Sequence, residues 1–261
     1  MTTSLKGYTA LVCGSTQGIG RAVAALFAAA GANCILFARN PGKMQETVAT
    51  LDTSEGQRHS FITADFTDTA AVKEAVAALA ARETVHILVN NTGGPAPGPI
   101  TDASAVNFTD AFSQHIINNQ QIVQLLLPGM QSAGYGRIIN IISTSVKIPI
   151  ANLGVSNTIR AATAAWAKTL AMEVAKDGIT VNNVLPGYTQ TGRLESLIRT
   201  NAGKQQVTEV ELAEKMKQQI PARRFGTPEE IAAVAGFLAS PAAAYVNGTS
   251  IPVDGGSTGA F

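Results

Sequence analysis

Short apolar segments alternate with helical patterns along the whole chain, and this alternation constrains the fold more than any other feature. The segments are TALVC (9–13), ANCILFA (32–38), HSFITADF (59–66), VHILVNN (85–91), GRIINIIS (136–143), GITVNNVLPG (178–187) and GTSIPVDGG (248–256). Nearly continuous apolar runs are typical of strands that are buried on both faces. The alternation therefore predicts an α/β fold with a parallel, doubly wound sheet and helices on both faces.

Two kinds of signal mark helices between these strands. Residues 20–31 and 67–82 have the spacing of amphipathic helices. Thr208 with Glu211, and Thr227 with Glu230, have the spacing of a capping box, which marks the start of a helix. No repeat, low-complexity tract or linker divides the chain, so we expect a single domain over residues 1–261.

Composition argues against several classes of function. Of the 261 residues, 46% are hydrophobic, which allows a sizeable core and argues against disorder. The formal net charge of +1 argues against binding to nucleic acid or to a membrane surface through bulk charge. The chain shows neither a secretory signal nor an apolar run of membrane-spanning length, so we expect a cytoplasmic protein. Cys13 and Cys34 lie in apolar runs, and we expect buried thiols rather than a disulfide.

Two stretches interrupt the alternation where strands end. GGPAPGPI (93–100) is a Gly/Pro-rich loop directly after a strand, and residues 188–226 form a long excursion after a later one. In open α/β sheets, ligands bind beyond the carboxyl ends of the strands. Both stretches could be ordinary surface loops. Because loops as long as 188–226 are usually functional or disordered, we expect that excursion to be a lid over a substrate pocket.

A glycine-rich loop, CGSTQGIG (13–20), joins the first strand to the first helix. Its glycines are Gly14, Gly18 and Gly20. Glycine lets the backbone approach a phosphate closely, and the N–H groups and dipole of a helix start attract an anion. A glycine triplet alone also fits a tight turn, but its place between a buried strand and an amphipathic helix predicts a phosphate-binding loop.

The glycine spacing and several later segments, in the same order, resemble the short-chain dehydrogenase/reductase family. The later segments are ADFTD (64–68), NNTG (90–93), TVNNVLPGYTQT (180–191), FGTPEEIAAVAGFLAS (225–240) and VDGG (253–256). The resemblance covers nearly the whole chain. It implies a Rossmann-type sheet of about seven strands that binds a nicotinamide dinucleotide, usually in a homotetramer. It also implies an oxidoreductase acting on a small carbonyl or alcohol substrate.

The resemblance also implies the residues that bind the cofactor. Asp65 resembles the family's acid that holds the adenine amino group, Asn91 supports the adenosine side, and Thr191 meets the nicotinamide carboxamide. The expected set is Gly14, Ser15, Gly18, Ile19, Gly20, Arg39, Asp65, Phe66, Asn91, Arg160, Pro186, Gly187, Thr189 and Thr191. No metal is expected.

The end of the second strand distinguishes the two dinucleotides. An acid there would bind the ribose 2′-OH of NAD, whereas an arginine suits the 2′-phosphate of NADP. The sequence reads FARN at 37–40, with Arg39 and no Asp or Glu. Arg39 could also be a solvated residue at a strand end. We expect NADP(H) in preference to NAD(H), with Arg39 and Ser15 at the phosphate.

Three of the four positions that carry the family's reaction are changed in this sequence. The family uses a Ser, a Tyr and a Lys, with an Asn on an earlier helix. The Tyr gives or takes the substrate proton, and the Lys lowers its pKa and holds the nicotinamide ribose. Ser143 matches the Ser by type and place. Ser156 stands at the Tyr position, Arg160 at the Lys position and His115 at the Asn position.

These changes remove the usual proton relay but keep a hydroxyl and a cation. A Ser hydroxyl is a far weaker acid than a Tyr hydroxyl, and Arg does not release its proton at working pH. We expect Ser143 to polarise the substrate oxygen and Arg160 to hold the ribose. The proton would come from water or from His115 titrating near neutrality. His115 could instead only fill space in its helix, and we expect Tyr188 to pack in the lid hinge rather than act as a donor.

Two functions from different classes follow from these residues. The first is an NADP(H)-dependent oxidoreductase that reduces a carbonyl or oxidises an alcohol with an altered proton relay. The second is a catalytically silent dinucleotide-binding module that senses the cofactor or binds a partner protein. A non-redox reaction such as dehydration is less favoured, because no carboxylate occupies a matched site position.

Overall fold

Seven parallel strands form one sheet in the computed structural model, which describes residues 3–259. The strands are β1 (Thr9–Cys13), β2 (Asn33–Ala38), β3 (Ser60–Thr63), β4 (Ile87–Asn90), β5 (Gly136–Ile141), β6 (Ile179–Pro186) and β7 (Ser250–Val253). Their order is β3-β2-β1-β4-β5-β6-β7, and every pairing is parallel. The predicted doubly wound sheet is therefore confirmed. Residues 1–2 and 260–261 of the expected domain lie outside the described part.

Helices cover both faces of this sheet. One face carries α1 (Gly18–Ala29), α2 (Pro41–Val48) and α9 (Pro228–Ala239). The other carries α3 (Thr69–Ala80), α5 (Asn118–Ala133) and α6 (Gly154–Val174). Before α5 the chain forms α4 (Ala105–Phe112) and a π-helical turn (Ser113–Ile117). Among the described residues, no helix has the length and apolar character needed to span a membrane.

The apolar pattern of the strands reflects burial on both faces. In β1, Ala10 and Val12 pack in the core on one side of the sheet, and Leu11 and Cys13 pack in the core on the other side. Alternate side chains of a strand point in opposite directions, so both sets must be apolar. Cys13 and Cys34 are buried free thiols, as predicted, and burial raises the pKa of each to about 12.

The excursion at 188–226 contains α7 (Gly192–Gln205) and α8 (Glu209–Gln218). These helices share a small apolar cluster that includes Leu194, Ile198 and Met216. The two ends of the segment lie next to each other, because the Gly226 N–H donates to the Tyr188 carbonyl oxygen at 2.9 Å. The predicted capping boxes open α8 and α9, as the sequence indicates.

Strands β3, β4 and β5 end one to three residues earlier than predicted. The residues beyond them bond locally instead of continuing the sheet. Asp65 accepts a hydrogen bond from the backbone of Thr67, Asn91 donates to the glycine loop, and Ser143 caps a short 3₁₀ turn. Their polar side chains therefore lie just past the carboxyl edge of the sheet, where a ligand can reach them.

Candidate functional site

A cleft of about 710 Å³ opens along the carboxyl edge of the sheet. It crosses the point between β1 and β4 where the strand order reverses, which is the usual ligand site of such sheets. We call the part lined by the glycine loop, Arg39 and Asp65 the outer end. The inner end is lined by Ser143, the start of α6 and the start of α7. The volume suits a cofactor or a small molecule.

The glycine loop brings backbone rather than side chains to the outer end. Gly14 has a φ of +59°, and a Cβ there would collide with the carbonyl oxygen of Asn91. A Cβ on Gly20 would collide with the Gly14 carbonyl oxygen. Within the described chain, α1 has neither a side-chain cap nor an acidic residue in its first turn. Its first N–H groups, beside Gly18 and Ile19 in the cleft lining, can therefore bind an anion.

Asn91 ties two strand ends together beneath the cleft. Its Nδ2 donates to the carbonyl oxygens of Cys13 at 3.2 Å and Gly14 at 3.3 Å. The loop after β4 is thereby fixed to the loop after β1. Asn91 lines the cleft, and its amide holds the backbone shape that the glycine loop requires.

Arg39 and Asp65 face each other at the outer end. Arg39 Nη1 lies 3.6 Å from Asp65 Oδ2, and the Arg39 side chain is 78% exposed. Asp65 Oδ1 also accepts hydrogen bonds from the backbone N and Oγ1 of Thr67, and these bonds, with the charge of Arg39, keep the pKa of Asp65 below its usual value. Because such exposed pairs are weak, Arg39 can turn to a phosphate while Thr67 holds Asp65 in place. Phe66 lines the cleft beside them.

The structure corrects the expectation for the Ser15 side chain. Ser15 is fully buried, and its Oγ accepts a hydrogen bond from the backbone N–H of Phe37 at 3.1 Å. The hydroxyl anchors the glycine loop to the end of β2, so it does not face a 2′-phosphate. The next residue, Thr16, lines the cleft instead.

The segment after β6 closes the cleft against the glycine loop. Pro186, Gly187, Thr189 and Thr191 all line it. Thr189 Oγ1 donates to the Gly187 carbonyl oxygen at 3.1 Å, and Thr191 caps α7 with its side chain. The Thr191 side chain lies so close to Gly18 that a Cβ on Gly18 would be 3.1 Å from its Cγ2.

Ser143, Ser156 and Arg160 come together at the inner end. The turn after β5 places Ser143, whose Oγ accepts a hydrogen bond from the Ser145 N–H at 3.1 Å. Helix α6 places Ser156 and Arg160 one turn apart, and all three side chains line the cleft. Arg160 is only 8% exposed, and its Nη1 donates to the Ile141 carbonyl oxygen at 3.3 Å. The sequence prediction that a hydroxyl and a cation share this face agrees with the structure.

Arg193 also lies at the inner end, although no motif in the sequence predicts it there. It stands in the first turn of α7, and its Nη1 and Nη2 donate to the carbonyl oxygens of Gly94 and Pro95 at 3.0 and 3.1 Å. Burial, and then the positive charge of Arg193, lower the pKa of Arg160 to about 10, so Arg160 stays charged at neutral pH. The only signal in the sequence is an arginine two residues after Thr191, where the segment that resembles the family's motif ends.

His115 lies buried on the π-helical turn, where its Nδ1 is 2.9 Å from Thr92 Oγ1. Burial, and then the charges of Arg160 and Arg193, lower the pKa of His115 to about 3. The expectation that His115 titrates near neutrality is therefore wrong. An imidazole buried beside two guanidinium groups stays neutral, because a third positive charge there would be strongly disfavoured.

Tyr188 lines the cleft where the excursion at 188–226 begins, and its ring packs edge-on against Phe225 with the centroids 6.3 Å apart. Burial raises the pKa of the Tyr188 hydroxyl. This environment fits the expected packing role in the hinge.

Several known proteins are similar to this chain over nearly its whole length. A family model described as enoyl-(acyl carrier protein) reductase matches residues 14–258. The oxidoreductase UcpA of Escherichia coli is 35% identical over 257 residues, which cover 97% of this chain and 95% of that protein. The 7alpha-hydroxysteroid dehydrogenase of Escherichia coli is 31% identical over 255 residues, which cover 97% and 94% of the two chains. The crystal structure of L-sorbose reductase from Gluconobacter frateurii, complexed with NADPH and L-sorbose, matches with a TM-score of 0.93 and 29% identity and covers 100% of both chains.

Proposed function

Because the chain belongs to the short-chain dehydrogenase/reductase family, we propose that it is an NADP(H)-dependent oxidoreductase with an altered proton relay. It reduces a carbonyl or oxidises an alcohol of a small molecule. The observation that carries this proposal is one continuous cleft, which runs from the uncapped start of α1 to the Ser143, Ser156 and Arg160 side chains.

The outer end supports NADP(H) as the cofactor. The free N–H groups of α1 would hold the pyrophosphate, Asp65 would hold the adenine amino group, and Arg39 would hold the 2′-phosphate. No acid stands at 37–40 to bind a free 2′-OH. The similar L-sorbose reductase is complexed with NADPH, which favours the same choice. When bound, the cofactor supplies or accepts a hydride.

Ser143 is the residue we assign to polarise the substrate oxygen. Its Oγ already accepts a hydrogen bond from the Ser145 N–H, so the single Ser143 proton is free to be donated into the cleft. A donor aimed at an oxygen that gains negative charge is worth about a hundredfold to a thousandfold in rate.

Water is the proton source that this inner end supports. Ser156 does not ionise near neutral pH, the pKa of Arg160 is about 10, and the pKa of His115 is about 3. Ser156 is shorter than the family's Tyr by a whole ring, which leaves room for a water molecule beside Arg160. Arg160 would hold the nicotinamide ribose, as the Lys does in the family. Losing a positioned acid costs about a hundredfold to ten-thousandfold in rate, so we expect slow turnover.

We further propose that residues 1–261 act as one dinucleotide-binding domain whose excursion at 188–226 is the substrate lid. The excursion has its own apolar cluster, and a backbone hydrogen bond between Gly226 and Tyr188 joins its two ends. Its Leu194 and Leu197 line the cleft. We also propose a homotetramer, which the resemblance to the family implies. Light scattering measures this assembly directly.

The test is NADPH consumption with a panel of aldehydes and ketones, comparing the wild type with Ser143→Ala. We expect slow but measurable turnover, and a kcat lower by about a hundredfold to a thousandfold in the variant with the Kd for NADPH unchanged. Ser145→Ala is a matched control, because its buried Oγ has no hydrogen-bond partner among the described residues and its backbone N–H remains. Equal kcat values in Ser143→Ala and Ser145→Ala would remove Ser143 from the mechanism.

The second candidate function is a catalytically silent dinucleotide-binding module. It is favoured by the low pKa of His115, because that residue was the one replacement acid near neutrality that the sequence offered. This function predicts tight binding of NADPH with no consumption on any substrate of the panel. Capture of a partner protein that depends on NADPH would then support it over the enzyme.

A further inference from the structure

Two guanidinium groups meet at a single point of the inner end, beside Gly94. A Cβ placed on Gly94 would lie 3.0 Å from Arg193 Nη2 and 3.2 Å from Arg160 Nη2. The two side chains come from different elements: Arg160 from α6, and Arg193 from the first turn of the lid helix α7. Only a residue without a side chain leaves this point open at position 94.

Neither guanidinium has a carboxylate partner among the described residues. The charged side chains that line the cleft within residues 3–259 are Arg39, Asp65, Arg160 and Arg193. The only acid of this set lies at the outer end against Arg39. The inner end therefore carries two positive charges and no negative one.

Two neighbouring cations repel each other unless an anion joins them, and of these two Arg160 is buried whereas Arg193 is exposed. Arg160 is 8% exposed, and its protein hydrogen bond goes to one backbone carbonyl oxygen. Arg193 donates to two carbonyl oxygens, and these bonds do not neutralise its charge. Burial lowers the pKa of both arginines, and their mutual repulsion lowers that of Arg160 further. Most of their N–H donors remain available in a fork geometry that matches a carboxylate.

Aliphatic side chains also line the cleft. Ile142, Ile148, Leu153 and Leu197 line the same cleft as the two arginines. A ligand that binds both the arginine pair and the aliphatic lining has an apolar body and one anionic end.

We propose that Arg160 and Arg193 bind a carboxylate of the substrate, so that the enzyme acts on hydroxy acids or keto acids with an apolar body. This inference rests on the proposed function for the place of the substrate beside Arg160. Arg193 also joins α7 to the loop after β4 through Gly94 and Pro95, so a carboxylate bound there contacts the lid and the cleft floor together.

The cofactor is the other possible source of an anion at this point. Its pyrophosphate already has a proposed place at the uncapped start of α1, whereas Arg193 reaches the loop after β4. The experiment therefore measures carboxylate binding and cofactor binding separately.

The experiment titrates the protein, with and without saturating NADP⁺, with benzoate and with benzamide in a calorimeter. The two probes have the same size and shape, but only benzoate is charged. We expect benzoate to bind about tenfold to a hundredfold more tightly, because hydrogen bonds between two charged groups are stronger than those to a neutral amide. Arg193→Gln should abolish this preference, and Arg193→Lys should keep part of it.

Arg199→Gln is the matched control. Arg199 lies on the same helix, but its side chain is 72% exposed and pairs with Glu209, and it is not part of the cleft lining. The benzoate preference should survive in this variant.

Equal binding of benzoate and benzamide by the wild type overturns the proposal. So does an Arg193→Gln variant that keeps the benzoate preference but binds NADP⁺ more weakly, because Arg193 would then serve the cofactor. These titrations need no turnover. In one outcome the wild type shows a benzoate preference that depends on Arg193 and yet consumes no NADPH. That result would support the carboxylate site and contradict the proposed oxidoreductase function.

Discussion

The two ends of the cleft are built from different materials. The outer end is mainly backbone: a glycine loop, an uncapped helix start and a loop fixed by Asn91, with one exposed ion pair at its rim. The inner end is built from side chains: buried Ser156 and Arg160, half-buried Ser143, exposed Arg193 and a buried neutral imidazole behind them. Compared with the family, the outer end keeps the glycine loop, whereas the inner end has Ser156 in place of a titratable phenol and Arg160 in place of a lysine. The proposed function therefore separates cofactor binding at one end from an altered chemistry at the other.

Restoring the family's residues at the inner end is the strongest challenge to this comparison. In the double variant Ser156→Tyr with Arg160→Lys, a cation would again lower the pKa of a nearby phenol. We expect kcat for carbonyl reduction to rise by about a hundredfold to ten-thousandfold, because a positioned acid is regained. Steady-state NADPH consumption measures this gain.

The control for the restored relay is Ser156→Phe with Arg160→Lys. It adds the same ring without the hydroxyl, so it should show no gain. A gain of the same size in both double variants would mean that ring packing, and not proton transfer, limits the rate.

A smaller effect is expected at the outer end from Arg39→Ala. Losing a charged contact to the 2′-phosphate should weaken NADPH binding by about tenfold to a hundredfold, while NADH binding stays the same. Fluorescence titration with both cofactors gives the ratio. Arg58→Ala removes the same charge from an exposed site outside the cleft lining and should leave the ratio unchanged. If Arg39→Ala weakens both cofactors equally, the arginine does not select NADPH.

The smallest effect is expected from His115→Asn, and it concerns stability rather than rate. The unfolded chain protonates His115 near its ordinary pKa of about 6.5, while the folded protein resists protonation down to about 3. The wild type should therefore lose stability as the pH falls below about 6.5, and His115 contributes roughly 1–2 kcal/mol of that loss by about pH 5.

Urea unfolding at several pH values measures how the free energy of unfolding changes with pH. This free energy should fall less steeply with decreasing pH in His115→Asn than in the wild type. The pH profile of kcat near neutrality should be the same in both proteins. A pH profile of kcat that shifts in the variant would show that His115 takes part in proton transfer.

The features of both ends that follow from local rules can be predicted from the sequence. Glycine spacing between a strand and a helix indicates the loop around Gly14, and helical spacing places Ser156 and Arg160 on one face. Arg193 has no such local pattern, since its partners Gly94 and Pro95 lie almost a hundred residues earlier in the chain. The low pKa of His115 comes first from burial and then from charges on α6 and α7, which only the folded chain brings together. Ser15 was misassigned because motif position does not tell whether a side chain faces the cleft or the backbone behind it.

A crystal structure of the complex with NADP⁺ tests the central claim most directly. The account predicts that the dinucleotide occupies the cleft with its phosphates at the start of α1. It also predicts the nicotinamide C4 within roughly 5 Å of the Ser143 or Ser156 hydroxyl, close enough for a substrate oxygen to bridge them. A nicotinamide ring bound away from the inner end, with Ser143 and Arg160 on neither side of it, would contradict the account.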